Sequence, residues 1–354
     1  MINLVDNDAT FETKALYYNL LKIRGKGILF GQQDATMYGI NWKDNEDDRS
    51  DVKSVTGSHP AVYGWDLEHV VNQDAQSTNQ SENIKKLARE AYNRGGINTL
   101  SWHMGNPLTG KNFYDTTKAV YSILPGGSKH EDYKRKLDTI ANFISSLKGS
   151  DNKLIPVIFR PFHEHTGNWF WWGKPFCSPE EYISLWQFTV SYLRDTQKVR
   201  NVLYAYSPDK TSGLLTEYLE RYPGDEYVDI LGQDNYWEFR DIKYADMAVK
   251  GLAEICKYAR SRNKVAALTE TGMEKIENPA WFTEVVLNKI KADPDAREIA
   301  YLMVWRNAHT GHFYAPYPGH SSVPDFLKFY ADPYTLFQND IKNIYKTDKP
   351  ITNL

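Results

Sequence analysis

Short apolar runs alternate along the chain with longer segments of helical character, and polar or glycine-containing turns separate them. The length of the runs and their content of β-branched and aromatic residues favour strands over buried helices. Eight strands are therefore predicted, in the runs Gly27–Gln33, Ala61–Leu67, Ile97–His103, Leu154–Glu164, Val202–Ser207, Val228–Trp237, Val265–Gly272 and Ile299–Asn307.

Amphipathic segments lie between the apolar runs. Their spacing of apolar residues predicts helices over Ser81–Arg94, Glu131–Leu147 and Trp281–Ala292. Another helix is expected to begin at Ser178-Pro179, because serine is a preferred N-cap and proline fits the first turn.

Strands that alternate with helices imply a parallel sheet with right-handed crossovers. Eight such units in 354 residues match an α/β protein built as one (β/α)8 TIM barrel, a single domain over residues 1–354. A doubly wound open sheet is the alternative, disfavoured because no glycine-rich phosphate-binding turn follows the first run. The first crossover fits least well, because Asp44–Asp51 is rich in charge and leaves room only for a short helix.

The charge balance narrows the class of partner. The formal net charge is -3, and both signs are interspersed without a long basic run, which argues against nucleic acid or an anionic membrane. No apolar stretch approaches the roughly 18 residues of a transmembrane helix. The start of the chain lacks the basic and apolar regions of a leader, so the chain is expected to be cytosolic or a mature form without one. Cys177 and Cys256 are expected to be free thiols.

Aromatic residues are abundant, with 10 Trp, 24 Tyr and 15 Phe. Several of them cluster beside polar residues, as in Asn168-Trp169-Phe170-Trp171-Trp172-Gly173. Core packing explains most aromatic residues in proteins, but a cluster in a polar loop is more typical of a binding surface. A flat apolar ring with a polar edge suits the face of a sugar.

The active site of a (β/α)8 barrel lies at the carboxyl ends of its strands. The predicted strands end in a short set of polar and aromatic residues, namely His103, Glu164, Asp234, Tyr236, Glu270 and Trp305. Side chains alternate along a strand, so each of these residues completes a row that could point into the barrel. In the fourth run that row is Ile158, Arg160, Phe162 and Glu164, although alternation alone does not decide which row points inward.

Glu164 and Glu270 form a pair suited to cleavage of a glycosidic bond. One carboxyl would protonate the leaving oxygen and needs a raised pKa, while the other would stay ionised and attack the anomeric carbon or activate water. The alternative is structural, with the two carboxylates paired to Arg160 or Arg306.

Metal and serine chemistry are weaker hypotheses. On an extended strand the two histidines of His163-Glu164-His165 would share a face, but no third ligand cluster is evident. The segment is not the His-Glu-x-x-His helix motif. No Gly-x-Ser-x-Gly elbow occurs in the chain.

The most specific stretch of the chain is Arg160-Pro161-Phe162-His163-Glu164-His165-Thr166-Gly167-Asn168-Trp169-Phe170-Trp171-Trp172-Gly173. Leu268-Thr269-Glu270-Thr271-Gly272 is shorter and gains weight from its place on the seventh strand. With these motifs the chain resembles glycoside hydrolase family 26, best known for β-mannanases, over most of its length from Leu29 to Phe337.

The resemblance implies a retaining mechanism with Glu164 as acid/base and Glu270 as nucleophile. It implies carboxyl groups about 5–5.5 Å apart, the spacing of retaining enzymes. Tyr236 matches the tyrosine that hydrogen-bonds the nucleophile, with Asp234 two residues before it. His163 matches a residue that holds the two groups in position.

The remaining residues that the resemblance implies are sugar contacts. Trp305 matches the tryptophan platform beneath the sugar at the cleavage point, and His103 and Trp169 match further contacts around it. Arg306 would contact the neighbouring sugar on the non-reducing side. The long segment Met104–Ser128 and the aromatic loop Gly311–Pro318 either wall the cleft or form a surface insertion.

The resemblance implies an endo-acting β-1,4-mannanase on mannan, glucomannan or galactomannan. Alternatives are a family member acting on mixed-linkage β-glucan or β-1,3-xylan, and a catalytically silent sugar-binding protein, which is disfavoured because both glutamates are present. The chemistry requires no cofactor. The expected partners are β-mannan or manno-oligosaccharides, and a polymer substrate implies a location outside the cytoplasm, periplasmic or secreted.

Overall fold

Eight parallel strands close into a barrel in the computed structural model, which describes residues 3–43, 46–71, 75–211 and 214–347. The first strand pairs with the second through Gly31 and Val62, and with the eighth through Leu29 and Tyr301. The strands are β1 (Ile28–Gln33), β2 (Val62–Asp66), β3 (Ile97–Trp102), β4 (Val157–Pro161), β5 (Val202–Tyr206), β6 (Ile230–Asp234), β7 (Val265–Thr271), β8 (Tyr301–Val304) and a short β9 (Thr335–Leu336) that pairs with β1.

The helices surround the barrel and cover its strands. Between β7 and β8 a π-helical segment, Trp281–Leu287, runs directly into an α-helix. The α-helices are α1 (Phe11–Ile23), α2 (Asp51–Thr56), α3 (Glu68–Val71), α4 (Ala75–Asn93), α5 (Val120–Ile123), α6 (His130–Ser146), α7 (Pro179–Ser191), α8 (Leu215–Leu219), α9 (Ile242–Ser261), α10 (Asn288–Ala292) and α11 (Val323–Ala331).

The barrel predicted from the apolar pattern is confirmed, and closure between β1 and β8 excludes the open doubly wound sheet. The first crossover contains only the short helix α2, as expected, although Asp44 and Asn45 of its charged segment lie outside the described residues. Ser178 caps α7 through a capping box with Glu181. Both cysteines are buried free thiols.

No helix in the described part of the chain is long and apolar enough to cross a membrane. The core consists of the apolar faces of strands and helices packed against each other. Its largest fully buried side chains include Trp65, Trp102, Trp186 and Trp281. Each buries its ring while its indole N–H needs a partner, and in Trp65 that partner is the Asn98 amide oxygen at 2.7 Å.

Candidate active site

The carboxyl ends of the strands surround a cleft of about 710 Å³. A second cavity of about 340 Å³ adjoins it. Of the predicted site residues, seven line the larger cleft, namely His103, His163, Glu164, Trp169, Tyr236, Glu270 and Trp305. These seven residues are far apart in the chain, and the fold places them in one cleft.

Glu164 reaches the cleft from a turn rather than from a strand. β4 ends at Pro161, and Phe162 and Glu164 take left-handed backbone angles with φ of 48° and 54°. The Glu164 N–H donates to the carbonyl of Ser207 at 2.8 Å, which fixes the turn against the end of β5. The predicted alternating row from Ile158 to Glu164 is therefore wrong, because the extended backbone stops before Phe162.

The surroundings of Glu164 favour its neutral form. Burial raises its pKa well above the ordinary value, and the negative charges of Glu270 and Asp234 add to this shift. The indole N–H of Trp169 donates to the Glu164 carboxyl at 2.6 Å and opposes the shift. Gly167 makes room for this indole, since a Cβ there would lie 2.4 Å from the Trp169 ring.

Glu270 is held by two donors. One carboxylate oxygen accepts a hydrogen bond from the Tyr236 hydroxyl at 2.6 Å, and the other forms an ion pair with the Arg160 guanidinium. Burial and the charge of Glu270 raise the pKa of Tyr236 well above its ordinary value, so the phenol keeps its proton. Two donors on one carboxylate stabilise the charge that a nucleophile needs.

Arg160 is a buried cation between two carboxylates. Burial lowers its pKa, but Asp234 and Glu270 outweigh burial and raise it above the ordinary value. The ion pair between Arg160 and Glu270 is one that a purely structural role for the glutamates would predict, yet Glu270 still lines the cleft. Arg306 pairs with neither glutamate and donates to the Tyr38 hydroxyl at 3.1 Å.

Asp234, which was expected to contact substrate, does not line the cleft. It is fully buried and accepts hydrogen bonds from Arg160 at 2.5 Å and from the Thr269 hydroxyl at 2.7 Å. The register shifts where β7 pairs with β6 and β8, so the adjacent Thr269 and Glu270 both reach this cluster instead of pointing to opposite faces. Asp234 therefore supports Arg160 from beneath.

His103 is held by a carboxylate at the end of β2. Its Nδ1 atom is hydrogen-bonded to the Asp66 carboxylate. Burial would lower the pKa of His103, but the Asp66 charge raises it above its ordinary value. The His163 ring packs edge-on against His103 with centroids 4.6 Å apart, and burial keeps its pKa well below normal. His163 is thus neutral, and it supports its neighbours by packing, since neither ring nitrogen has a partner in the described chain.

Trp305 lies at the junction of the two cavities and lines both. Arg306 lines only the smaller one, with Tyr38 and Asp34. The Tyr38 hydroxyl donates to Asp34 at 2.5 Å, and burial raises the pKa of Asp34 to about 6. The cleft therefore offers polar contacts beyond Trp305 on the side away from Glu164.

His163 and His165 do not share one face, as they would on an extended strand. Because the strand has ended, the two rings point to different surroundings, and His165 packs between Tyr182 and Tyr206 at centroid distances of 4.2 and 4.9 Å. No group of three or more potential ligands that could hold a metal ion occurs within the described ranges.

Several residues around the cleft were not among the predicted site residues. Asp66 ends β2, so the strand-end rule applied to the second run would have found it. Tyr114 belongs to the long segment after β3, and Tyr314 belongs to the aromatic loop after β8; both segments therefore wall the cleft. Trp237 follows Tyr236 directly, and only its position in the fold shows that it is exposed at the rim.

Known proteins share this architecture. The family model described as Glycosyl hydrolase family 26 matches residues 5–340. A family 26 β-mannanase structure from Bacteroides ovatus is 43% identical, with a TM-score of 0.90 over 96% of this chain and 98% of that one. An endo-β-1,4-mannanase structure from Cellulomonas fimi is 40% identical, with a TM-score of 0.93 over 98% of this chain and 80% of that one.

A curated relative extends the comparison beyond solved structures. The mannan endo-1,4-β-mannosidase of Bifidobacterium adolescentis is 38% identical over an alignment of 354 positions that covers 93% of this chain. This chain spans only 35% of the length of that relative. The family model and these identities together show that the chain belongs to glycosyl hydrolase family 26.

Proposed function

We propose that the chain is a retaining endo-β-1,4-mannanase that acts on mannan, glucomannan or galactomannan. The observation that carries this proposal is the contrast between two carboxyl groups in one cleft. Burial and like charges favour the protonated form of Glu164, whereas Arg160 and Tyr236 donate to Glu270. An acid beside an ionised nucleophile is what a retaining glycosidase requires.

In the first step a Glu270 oxygen attacks the anomeric carbon while the bond from that carbon to the leaving oxygen breaks. Glu164 gives its proton to this oxygen, so the shortened chain leaves as a neutral alcohol. The product is a glycosyl ester on Glu270. Arg160 and Tyr236 orient the nucleophile, and Trp305 supplies the platform beneath the reacting sugar.

In the second step water replaces the departed chain. Glu164, now ionised, removes a proton from the water, whose oxygen bonds to the anomeric carbon as the ester to Glu270 breaks. Two inversions leave the anomeric configuration unchanged. His103, Trp169 and Arg306 are proposed to contact the sugars on either side of the cleaved bond.

The substrate assignment rests on the relatives and on the shape of the cleft. The relatives from Bifidobacterium and Cellulomonas are named as mannan-cleaving enzymes. Cavities on both sides of Trp305 allow a polymer to continue past the cleavage point in both directions, which favours internal cleavage. A polymer substrate implies action outside the cytoplasm, with residues 1–354 forming one catalytic domain.

Release of reducing sugars from β-mannan, lichenan and β-1,3-xylan tests this proposal, with wild type and Glu270→Ala in parallel. We expect release from mannan by the wild type and its loss in the variant. Release from lichenan or xylan alone would overturn the substrate but keep the class of enzyme. Undiminished release by Glu270→Ala would overturn the assignment of the nucleophile.

A further inference from the structure

Trp237 is an exposed indole at the rim of the larger cleft. Its side chain is 51% exposed, and it is the only tryptophan of the described chain among the large exposed apolar residues. It lines the cleft together with Arg240 and Lys243. Because tryptophan is large and apolar, an exposed one in a cleft that binds polymers suggests contact with a ligand.

The position of Glu164 identifies the side of the cleft that Trp237 occupies. An acid that protonates the leaving oxygen must face the departing part of the substrate. Glu164 lines the larger cavity and is absent from the lining of the smaller one, where Arg306 lies. Trp237 lies in the larger cavity alone, and this places it on the leaving-group side.

The turn that carries Trp237 is fixed on both flanks. Asn235 donates to the Glu238 carboxylate at 2.8 Å and accepts from the Glu238 N–H at 3.1 Å. The next residue, Phe239, is fully buried, and its carbonyl accepts from the Trp281 indole at 2.6 Å. The exposed ring is thus presented by an anchored backbone, which lowers the entropy that binding would cost.

Arg240 supports the ring from one side. Its guanidinium carbon lies 4.1 Å from the centroid of the Trp237 ring, a cation–π distance. About half of the indole side chain stays accessible. The pair therefore combines an apolar face with guanidinium donors, which matches a pyranose ring with its apolar face and peripheral hydroxyls.

We propose that Trp237, backed by Arg240, is a sugar-stacking platform for a hexopyranose unit on the leaving-group side. The platform determines how far a productively bound chain extends past the cleaved bond, and how well a second sugar chain serves as acceptor for the glycosyl group on Glu270. This inference rests on the proposed mannanase function and adds a specificity residue to it.

Cleavage of mannopentaose in ¹⁸O-labelled water tests the platform directly. Water attacks the anomeric carbon, so mass spectrometry of the labelled products identifies which bond was cut. In Trp237→Ala we expect cleavages that leave two or more sugars on the leaving-group side to fall about 3- to 10-fold relative to the others, the magnitude of an aromatic stacking contact. The ratio of transglycosylation to hydrolysis should fall with them.

Further variants separate stacking from a general defect. Trp237→Phe should restore most of the wild-type pattern, and Arg240→Ala should shift it in the same direction as Trp237→Ala but less. Phe11→Ala removes an exposed aromatic residue at the start of α1, outside the cleft lining, and should leave the pattern unchanged.

An unchanged cleavage pattern in Trp237→Ala, with turnover continuing, would overturn the platform while leaving the proposed function intact. The same shift in Phe11→Ala would also overturn it. Absence of any cleavage of manno-oligosaccharides by the wild type would instead overturn the proposed function, and the platform with it.

Discussion

The ends of β4 and β7 deliver the same residue type to one cleft by different routes. β4 stops at Pro161, and Glu164 follows in a left-handed turn bonded to Ser207. β7 continues as a strand through Glu270, with a register shift beside it. The first route leaves Glu164 half-buried, with the Trp169 indole as its one side-chain hydrogen-bond donor in the described chain, whereas the second route places Glu270 between Arg160 and Tyr236.

The difference shows that neighbours, rather than residue type, separate an acid from a nucleophile. Both side chains are glutamates in the same cavity, yet Glu270 pairs with a cation and accepts from a phenol, whereas Glu164 accepts from a neutral indole. The negative charge of Glu270 itself helps to raise the pKa of Glu164. The two environments are therefore coupled, and changing either one should be measurable at the other.

The largest expected effect is the loss of activity when Glu164 or Glu270 is replaced by alanine, and the two losses should depend differently on the substrate. Glu270→Ala should lose about 10⁴- to 10⁶-fold in kcat on every substrate, as loss of a nucleophile does. Glu164→Ala should lose about 10²- to 10⁴-fold on mannan, but much less on an aryl glycoside whose leaving group needs no proton. Azide should restore turnover in Glu164→Ala, because it needs no general base.

Equal losses on both substrates in the two variants would contradict the division of roles. Steady-state kinetics on mannan and on the activated glycoside measure it. The anomeric configuration of the first product, followed by NMR, provides an independent control, since retention is expected from the wild type.

Removing the shared cation should have the next largest effect. Arg160→Met leaves Asp234 and Glu270 as buried carboxylates without their partner, which should lower the free energy of unfolding by about 3–5 kcal/mol. Denaturant unfolding measures this loss, with Arg135→Met on the exposed face of α6 as the matched control. A loss no greater than that of the control would show that Arg160 does not hold the two carboxylates.

A smaller loss of activity is expected when the Tyr236 hydroxyl, which donates to Glu270, is removed. Tyr236→Phe keeps the ring but removes the hydrogen bond to Glu270 at 2.6 Å. A hydrogen bond to a charged group contributes about 1.5–3 kcal/mol, so kcat should fall roughly 10- to 100-fold. Unfolding measurements should show little change; a stability loss without a kinetic one would place Tyr236 in the scaffold alone.

The smallest expected effect is a shift of the pH profile. The Trp169 indole donates to Glu164 and lowers its pKa, so Trp169→Phe should raise that pKa further. Because Glu164 must be protonated, activity is lost as pH rises through its pKa, and the basic limb of kcat/KM should move to higher pH. A limb that stays in place or moves downward would contradict the assignment of Glu164 as the acid.

The fold was predictable because it depends on local patterns. The apolar runs correctly predicted the eight strands, and Ser178-Pro179 correctly predicted the start of α7. The turn at Glu164 was not predictable, since its left-handed backbone is fixed by the carbonyl of Ser207 on another strand. Strict alternation also failed beside Thr269, where the register shift depends on how β7 meets its two neighbours.

Residue types at the predicted strand ends identified residues of the site, but they did not show which groups would surround each one. Glu164, Glu270 and Tyr236 reach the cleft as expected. Asp234 has the same type and placement in the sequence, yet it lies beneath Arg160, because the charge balance of the buried cluster depends on three strands. Nothing in the neighbouring sequence distinguishes a carboxylate that faces substrate from one that supports a cation.

Trapping the covalent intermediate is the most direct test of Glu270 as the nucleophile. A 2-deoxy-2-fluoro-mannoside with an activated leaving group slows the second step, so the sugar stays on the nucleophile and mass spectrometry of the digested protein locates it. We expect one label, on Glu270, with inactivation at the same rate as labelling. A label on Glu164, or full inactivation with no label on Glu270, would contradict this assignment.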